Sequence, residues 1–136
     1  MSTLKTKQSP GILVVDDEAP IRQIARRFLE AEGYRVTEAG NGLEAIALLR
    51  RGTPPDLLMV DFQMPDVNGD ELVRHVRGAT SDIKVLYVTG HVSELLDEHP
   101  ALRDWEAFLE KPFTAIGLLE AVSLLLYGTL AKSAAS

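Results

Sequence analysis

Leu57-Leu58-Met59-Val60-Asp61 is a run of four apolar residues that ends at an acid, and it decides the fold. A short apolar run without polar alternation is typical of a strand that is buried on both of its faces. The segment Gly11–Val15 is also apolar throughout and also ends at acids, Asp16 and Asp17. Strands of this kind occur in parallel sheets that helices cover on both sides.

Helical patterns follow these strands along the chain. Pro20 suits the first turn of a helix, and Gly33 suits its end. Asn41 and Thr114 are predicted to cap two further helices through their side-chain oxygens. The apolar faces of the first and last helices are predicted as Ile21, Ile24, Ala25, Phe28 and Leu29, and as Ile116, Leu119, Val122, Leu125 and Leu126.

The chain alternates between predicted strands and helices. Strands are predicted over 11–15, 34–38, 57–60, 84–88 and 107–109, and each is followed by a helical pattern. Single helices between strands imply parallel pairing with right-handed crossovers, and therefore a doubly wound α/β sheet. The ligand site of such a sheet lies beyond the carboxyl ends of its strands. The polar residues expected there are Asp16, Asp17, Asp61, Thr89 and Lys111.

Composition narrows the class of protein. With 136 residues the chain suits one domain, which we expect over 11–128 with polar tails at 1–10 and 129–136. Its 20 acidic and 14 basic residues argue against direct nucleic-acid binding, because phosphate contacts need clustered Lys and Arg. The absence of cysteine excludes disulfides and thiol catalysis. No apolar run suits a secretory signal or a membrane span, so we expect a cytoplasmic location without membrane attachment.

Acids that meet at one sheet edge need a cation. Asp16, Asp17 and Asp61 would repel one another and raise one another's pKa unless a positive charge lay between them. Mg²⁺ suits such oxygen ligands and leaves positions for phosphate oxygens. A carboxylate can also attack phosphorus and form an acyl phosphate. Asp61 is the predicted attacking group, with the Lys111 ammonium and the Thr89 hydroxyl placed to contact the phosphoryl oxygens.

Four motifs, each at a predicted strand end, give the chain a family resemblance. They are Val-Val-Asp-Asp-Glu at 14–18, Val-Asp-Phe-Gln-Met-Pro-Asp-Val-Asn-Gly at 60–69, Val-Thr-Gly-His at 88–91 and Phe-Leu-Glu-Lys-Pro-Phe at 108–113. From about residue 11 to 127 the chain resembles the receiver domain of bacterial response regulators. The resemblance implies a CheY-like, flavodoxin-like five-stranded parallel sheet in the order 2-1-3-4-5, with helices on both faces.

The resemblance also implies roles for the site residues. Asp61 would be the phosphoacceptor. Asp17 would bind Mg²⁺ directly and Asp16 largely through water, while Asp61 and the backbone carbonyl of Gln63 would complete the protein ligands. Lys111 would pair with the phosphoryl oxygens, and in this family the bond between Lys111 and Pro112 is often cis.

Two further roles concern signalling and phosphate lifetime. Thr89 would move toward the phosphorylated Asp61, and Phe108 matches the switch aromatic that turns inward with it. The family often has tyrosine at this position. Phenylalanine has no hydroxyl, so the signal would depend on the shape and apolar packing of its ring. Gln63 and His91 occupy the positions at which the family varies the dephosphorylation rate, and we expect them to set it here.

The resemblance implies a signalling module and not a turnover enzyme, although it would catalyse its own phosphorylation and dephosphorylation. A histidine kinase or a histidine phosphotransfer protein would supply the phosphoryl group. The surface of helix 4, strand 5 and helix 5 would then signal to an effector protein or form a phosphorylation-dependent dimer. The segment 108–114 and the Leu-rich last helix are similar to receivers of hybrid histidine kinases. A single-domain regulator and a phosphorelay shuttle or sink are the other expectations.

Two other functions would require different residues at this site. A Mg²⁺-dependent phosphatase with an aspartyl-phosphate intermediate would have an acid two residues after the nucleophile, where this chain has Gln63. A receiver-like module that binds partners without phosphorylation would not need the full set of acids and Lys111. These residues could also have structural roles alone. Acids before a helix interact favourably with its dipole, Phe108 could be a core residue, and His91 could be an exposed loop residue.

Overall fold

A five-stranded parallel sheet forms the centre of the molecule. The structure, a computed structural model, describes residues 9–52, 54–64, 67–79, 83–98 and 105–128. Within these ranges the strands are β1 Gly11–Val15, β2 Arg35–Ala39, β3 Leu57–Asp61, β4 Lys84–Thr89 and β5 Glu106–Glu110. They pair in the order β2-β1-β3-β4-β5, which confirms the predicted strand order and the doubly wound class.

Five helices connect and follow the strands in this part of the chain: α1 Ala19–Ala31, α2 Gly42–Leu49, α3 Gly69–Ala79, α4 Val92–Glu98 and α5 Ala115–Tyr127. The predicted caps are confirmed. Asn41 accepts a hydrogen bond from the Glu44 N–H at 2.7 Å, and Thr114 accepts one from the Gly117 N–H at 2.9 Å. Caps of this kind each stabilise a protein by about 1 kcal/mol. Gly33 follows α1 with a φ of +91°, a left-handed conformation that favours glycine.

The sheet is covered on both faces. Side chains that alternate along each strand enter two separate cores, as the period of two requires. Leu58 and Val60 of β3 face the core beneath α2, α3 and α4, whereas Leu57 and Met59 face the core beneath α1 and α5. All four residues are buried, which explains why β3 is apolar up to Asp61.

Some predicted helix faces are wrong at single positions. Ile116 is 61% exposed, although it was predicted to be part of the buried face of α5. The buried stripe of α5 contains Leu118, Val122 and Leu125. Because a helix turns about 100° per residue, Ile116 lies nearly opposite Leu118. In α1, Ile24 is 40% exposed at the flank of the stripe, whose centre is Ala25 and Leu29.

Strand bounds differ slightly from the predictions. β2 begins and ends one residue later than predicted, and β3 and β4 each end one residue later. β5 begins at Glu106 and ends at Glu110, one residue beyond the prediction at each end. Glu106 is buried because Arg77 of α3 pairs with it at 3.3 Å. The predicted tails lie outside the described residues apart from positions 9 and 10. Among the helices that the structure describes, none is long and apolar enough to cross a membrane.

Candidate functional site

Three strand ends place polar side chains at one edge of the sheet. Asp16 follows β1, Asp61 ends β3 and Thr89 ends β4, and these side chains are buried although each is polar. Lys111 follows β5, and its backbone N–H donates to the Thr89 carbonyl at 2.8 Å. The bond between Lys111 and Pro112 is cis. The convergence expected from the parallel topology is therefore observed for these four residues.

Lys111 connects the acids of the site. Its Nζ lies 2.9 Å from Oδ2 of Asp16, 3.5 Å from Oδ2 of Asp61 and 3.5 Å from Oε2 of Glu18. Burial alone would lower the pKa of Lys111, but the hydrogen bond and charge of Asp16, followed by the charges of Asp61 and Glu18, outweigh it and raise that pKa. The lysine therefore stays charged at the centre of an acidic site.

The pKa of the Asp61 carboxyl is raised. Burial, followed by the negative charge of Asp16, raises the pKa of Asp61 from 3.8 to about 6, and Asp17 adds to the effect. Lys111 opposes this shift, as does the Gln63 N–H, which donates to Oδ1 of Asp61 at 3.1 Å. Asp61 is thus an ionised carboxylate near neutral pH that lacks full charge compensation, which is a frequent property of functional acids.

The acids suit a hard cation. Carboxylate oxygens of Asp16, Asp17 and Glu18 all lie within 4.8 Å of one another. Mg²⁺ prefers oxygen ligands, and its charge would relieve the repulsion that raises the pKa of Asp61. The donor set therefore fits Mg²⁺. Glu18, which was not among the predicted ligands, belongs to this cluster, and its backbone N–H donates to Oδ1 of Asp16 at 2.9 Å.

Two supporting residues of the site were not predicted. Arg22 of α1 donates to the Asp16 carbonyl at 2.7 Å and pairs with Glu38 of β2 at 3.1 Å, so it fixes the backbone at the end of β1. Gly69 begins α3, and its N–H donates to the Phe62 carbonyl at 2.9 Å. A Cβ atom at Gly69 would lie 2.7 Å from the Asp61 carbonyl oxygen. Only glycine therefore lets α3 start this close to the acceptor strand.

The remaining predicted residues surround the edge of the site. The Thr89 Oγ1 accepts a hydrogen bond from the His91 N–H at 2.9 Å, while the His91 side chain is exposed. The exposed Gln63 side chain donates a hydrogen bond to Glu94 of α4. Phe108 pairs in register with the buried Tyr87 of β4 and is itself 38% exposed, so its ring is partly in solvent.

Comparison with known proteins agrees with this arrangement. The family model described as response regulator receiver domain matches residues 12–123, which include each strand end of the site. The chain belongs to the response regulator receiver family. Membership assigns the chain to two-component signalling, as a receiver domain. Receiver domains typically bind Mg²⁺, which agrees with the acidic cluster.

Individual receivers and response regulators resemble the chain to a similar degree. The response regulator SaeR of Staphylococcus aureus is 33% identical over 115 residues, which are 85% of this chain and 50% of that protein. The chain thus spans about half the length of the curated relatives it matches. The chemotaxis response regulator CheY4 of Vibrio cholerae has a TM-score of 0.76 at 27% identity, covering 88% of this receiver and 100% of that chain. The receiver domain of the hybrid histidine kinase CckA has a TM-score of 0.72 at 34% identity, covering 85% of this chain and 98% of that chain.

Proposed function

We propose that this receiver accepts a phosphoryl group on Asp61 from a histidine kinase or a histidine phosphotransfer protein. The observation that carries the proposal is the position of Lys111, whose ammonium lies 3.5 Å from Asp61 and 2.9 Å from Asp16. A buried carboxylate beside a fixed cation has the charge environment that phosphoryl transfer requires. The family membership of the chain supports the same function.

The chemistry begins at the Asp61 carboxylate. With a pKa of about 6, Asp61 is mostly ionised at neutral pH and has a free electron pair for attack on phosphorus. A new oxygen–phosphorus bond forms as the phosphorus–nitrogen bond of the partner's phosphohistidine breaks, and the electron pair of that bond returns to the imidazole. Lys111 neutralises charge on the phosphoryl oxygens. The Gln63 N–H keeps the second carboxylate oxygen in place.

The metal site belongs to the same proposal. Asp17 and Asp16, together with Asp61 and the backbone carbonyl of Gln63, would hold Mg²⁺, and the proximity of Glu18 makes it a further candidate. The bound ion would supply positive charge to the phosphoryl oxygens. Asp16 already binds Lys111, which leaves the exposed Asp17 as the acid with the most freedom to bind the ion directly.

Phosphorylation would change the conformations of Thr89 and Phe108. The Thr89 hydroxyl would donate to a phosphoryl oxygen, and Phe108, which is partly in solvent, would turn inward beside β4. The surface of α4, β5 and α5 then changes shape, and an effector protein or a second copy of the domain would bind it. Because phenylalanine has no hydroxyl, this signal depends on apolar packing. Gln63 and His91 would set the phosphate lifetime.

The receiver itself would span 11–128 and act in the cytoplasm. The matched proteins include a response regulator and a receiver of a hybrid kinase, so both contexts have support. A phosphorelay or kinase-linked role and a single-domain regulator, shuttle or sink are the two alternatives, because the identities to the CckA receiver and to SaeR, 34% and 33%, are nearly equal.

Intact-mass spectrometry tests the proposal. Incubation with acetyl phosphate and Mg²⁺ should add about 80 Da to the native chain, the mass of one phosphoryl group. Asp61→Asn should gain no mass, whereas Asp97→Asn, on the exposed surface of α4, should react like the native protein. Absence of a mass gain in the native chain, or an equal gain in Asp61→Asn, would refute Asp61 as the acceptor. Steady turnover of a phosphate ester would instead indicate a phosphatase.

A further inference from the structure

The side chain of Gln63 is connected to α4. Its backbone N–H donates to Asp61 at 3.1 Å, and its side-chain amide donates to the carboxylate of Glu94. Glu94 lies in the first turn of α4, 31 residues further along the chain. The residue that follows the acceptor by two positions is therefore held at both its backbone and its side chain, once by the site and once by a helix. We refer to the side-chain contact as the Gln63–Glu94 latch.

A second connection joins α4 to the same site. The His91 N–H donates to the Thr89 hydroxyl oxygen at 2.9 Å, and the His91 carbonyl accepts from the backbone N–H of Glu94 at 3.1 Å. The first turn of α4 is thus bonded to residues beside both Asp61 and Thr89. The position of Glu94 is consequently set by the site and not only by the packing of α4.

A purely stabilising role does not account well for the latch. Both Gln63 and Glu94 are exposed, and exposed side-chain hydrogen bonds contribute little to folding because water replaces them. Within α4, the described buried anchor is Leu95, which enters the core regardless of Glu94. What the latch does determine is where the Gln63 amide lies. A free amide at this position has two donors and one acceptor within a short reach of Asp61.

We propose that Glu94 is a positioning residue for the phosphorylated site, one that holds the Gln63 amide against α4 so that it does not cover the phosphoryl group. This inference rests on the proposed function. Hydrolysis of phospho-Asp61 requires a water molecule to attack phosphorus: its oxygen bonds to phosphorus, the bond from phosphorus to the Asp61 oxygen breaks, and the electron pair returns to the carboxylate. The water proton passes to solvent, and inorganic phosphate leaves. With Gln63 held on α4, the path of this water stays open.

The lifetime of the phosphorylated protein tests the role of Glu94. Glu94→Ala frees the amide to cover the phosphoryl group, so the loss of phosphate should slow by about threefold or more. Glu94→Gln keeps an acceptor oxygen and should retain the native rate. Asp97→Ala, an exposed acid on the same helix, is the matched control and should also retain it. In a Gln63→Ala background the effect of Glu94→Ala should disappear, because the side chain that it positions is gone.

A lifetime that is unchanged or shortened in Glu94→Ala, or lengthened equally with and without Gln63, would overturn the inference. A second measurement needs no phosphate. The side-chain amide protons of Gln63, followed by nuclear magnetic resonance, should exchange with water more slowly in the native chain than in Glu94→Ala. Equal exchange would mean that the latch does not form in solution, and would also overturn the inference. A native chain that takes up no phosphoryl group would refute the proposed function itself. A Glu94→Ala variant that is phosphorylated and loses its phosphate at the native rate would refute this inference alone.

Discussion

The Nζ of Lys111 lies 2.9 Å from Oδ2 of Asp16, closer than the 3.5 Å that separates it from Asp61. Asp16 therefore holds the lysine beside Asp61. Asp16 also raises the pKa of Asp61 through its own charge, while Lys111 lowers it. Because these carboxylates are buried, solvent and salt screen the interactions only weakly. The charge state of Asp61 therefore depends first on its burial and then on the opposing charges of Asp16 and Lys111.

Removing the charge of Lys111 should change both the pKa of Asp61 and the rate at which it is phosphorylated. In Lys111→Met the pKa of Asp61 should rise above its native value, and phosphorylation by acetyl phosphate should slow by about tenfold or more, because no ammonium neutralises the phosphoryl oxygens. Lys84→Met, at the start of β4 and the opposite edge of the sheet, is the matched control. The rate of mass gain at fixed pH measures the effect. Equal rates in Lys111→Met and the native chain would contradict this role.

The raised pKa of Asp61 predicts a pH-dependent stability in the presence of a chelator. The pKa is about 6 in the folded chain and ordinarily 3.8, so the folded state binds this proton more tightly than the unfolded state. The free energy of unfolding should therefore fall as pH rises from about 4 to about 6 and stay lower above that range. The penalty at neutral pH is about 1–3 kcal/mol, since one pKa unit corresponds to about 1.4 kcal/mol.

Asp61→Asn removes the ionisable group and should remove this pH dependence. Urea unfolding of both proteins at pH 4 and pH 7, at equal ionic strength, gives the comparison. The stabilisation by Asp61→Asn should be larger at pH 7 than at pH 4. A difference that is the same at both values of pH would mean that Asp61 keeps its ordinary pKa. Addition of Mg²⁺ at pH 7 should stabilise the native chain more than Asp61→Asn, because the ion compensates the charge that the variant lacks.

The close approach of α3 to the acceptor strand predicts a sharp difference between two glycines of one helix. In Gly69→Ala the new Cβ would lie 2.7 Å from the Asp61 carbonyl oxygen and 2.9 Å from Cα of Phe62, so backbone must move. We expect a loss of about 1–3 kcal/mol in stability and slower phosphorylation, since overpacking displaces the acceptor. Gly78→Ala adds a Cβ with no atom within 4 Å and should stabilise α3 by up to about 1 kcal/mol. Urea unfolding measures both changes in stability. Equal changes in Gly69→Ala and Gly78→Ala would contradict the close contact at Gly69.

Local patterns were sufficient to predict most of the fold. The apolar strands, the Asn41 and Thr114 caps and the glycine after α1 each depend on residues close in sequence, and all are confirmed. The gathering of Asp16, Asp61 and Thr89 followed from one topological rule, that parallel strands end at the same edge. That rule needs no knowledge of side-chain conformation.

Contacts between distant side chains could not be predicted in the same way. Glu106 lies outside the predicted strand at 107–109. It is buried in β5 because Arg77, 29 residues away in sequence, pairs with it, and the Arg77 guanidinium carbon also lies 5.3 Å from the centre of the Trp105 ring. The bond from Arg22 to the Asp16 carbonyl and the Gln63–Glu94 latch likewise depend on rotamers and on helix placement. Sequence patterns indicate which face most residues occupy, and they leave the particular partner of each residue open.

The hydroxyl of Thr89 is expected to transmit phosphorylation to β5. This oxygen accepts a hydrogen bond from the His91 N–H, and Phe108 is 38% exposed. Thr89→Ser keeps the hydroxyl and Thr89→Ala removes it, so both should be phosphorylated on Asp61 but only the first should respond. Hydrogen–deuterium exchange over Glu106–Glu110, with and without acetyl phosphate and Mg²⁺, measures that response. The change on phosphorylation should be retained in Thr89→Ser and lost in Thr89→Ala, because only a hydroxyl can bind the phosphoryl oxygen. If Thr89→Ala responds like the native chain, β5 receives the signal by another route, and the exposed ring of Phe108 is not controlled by Thr89.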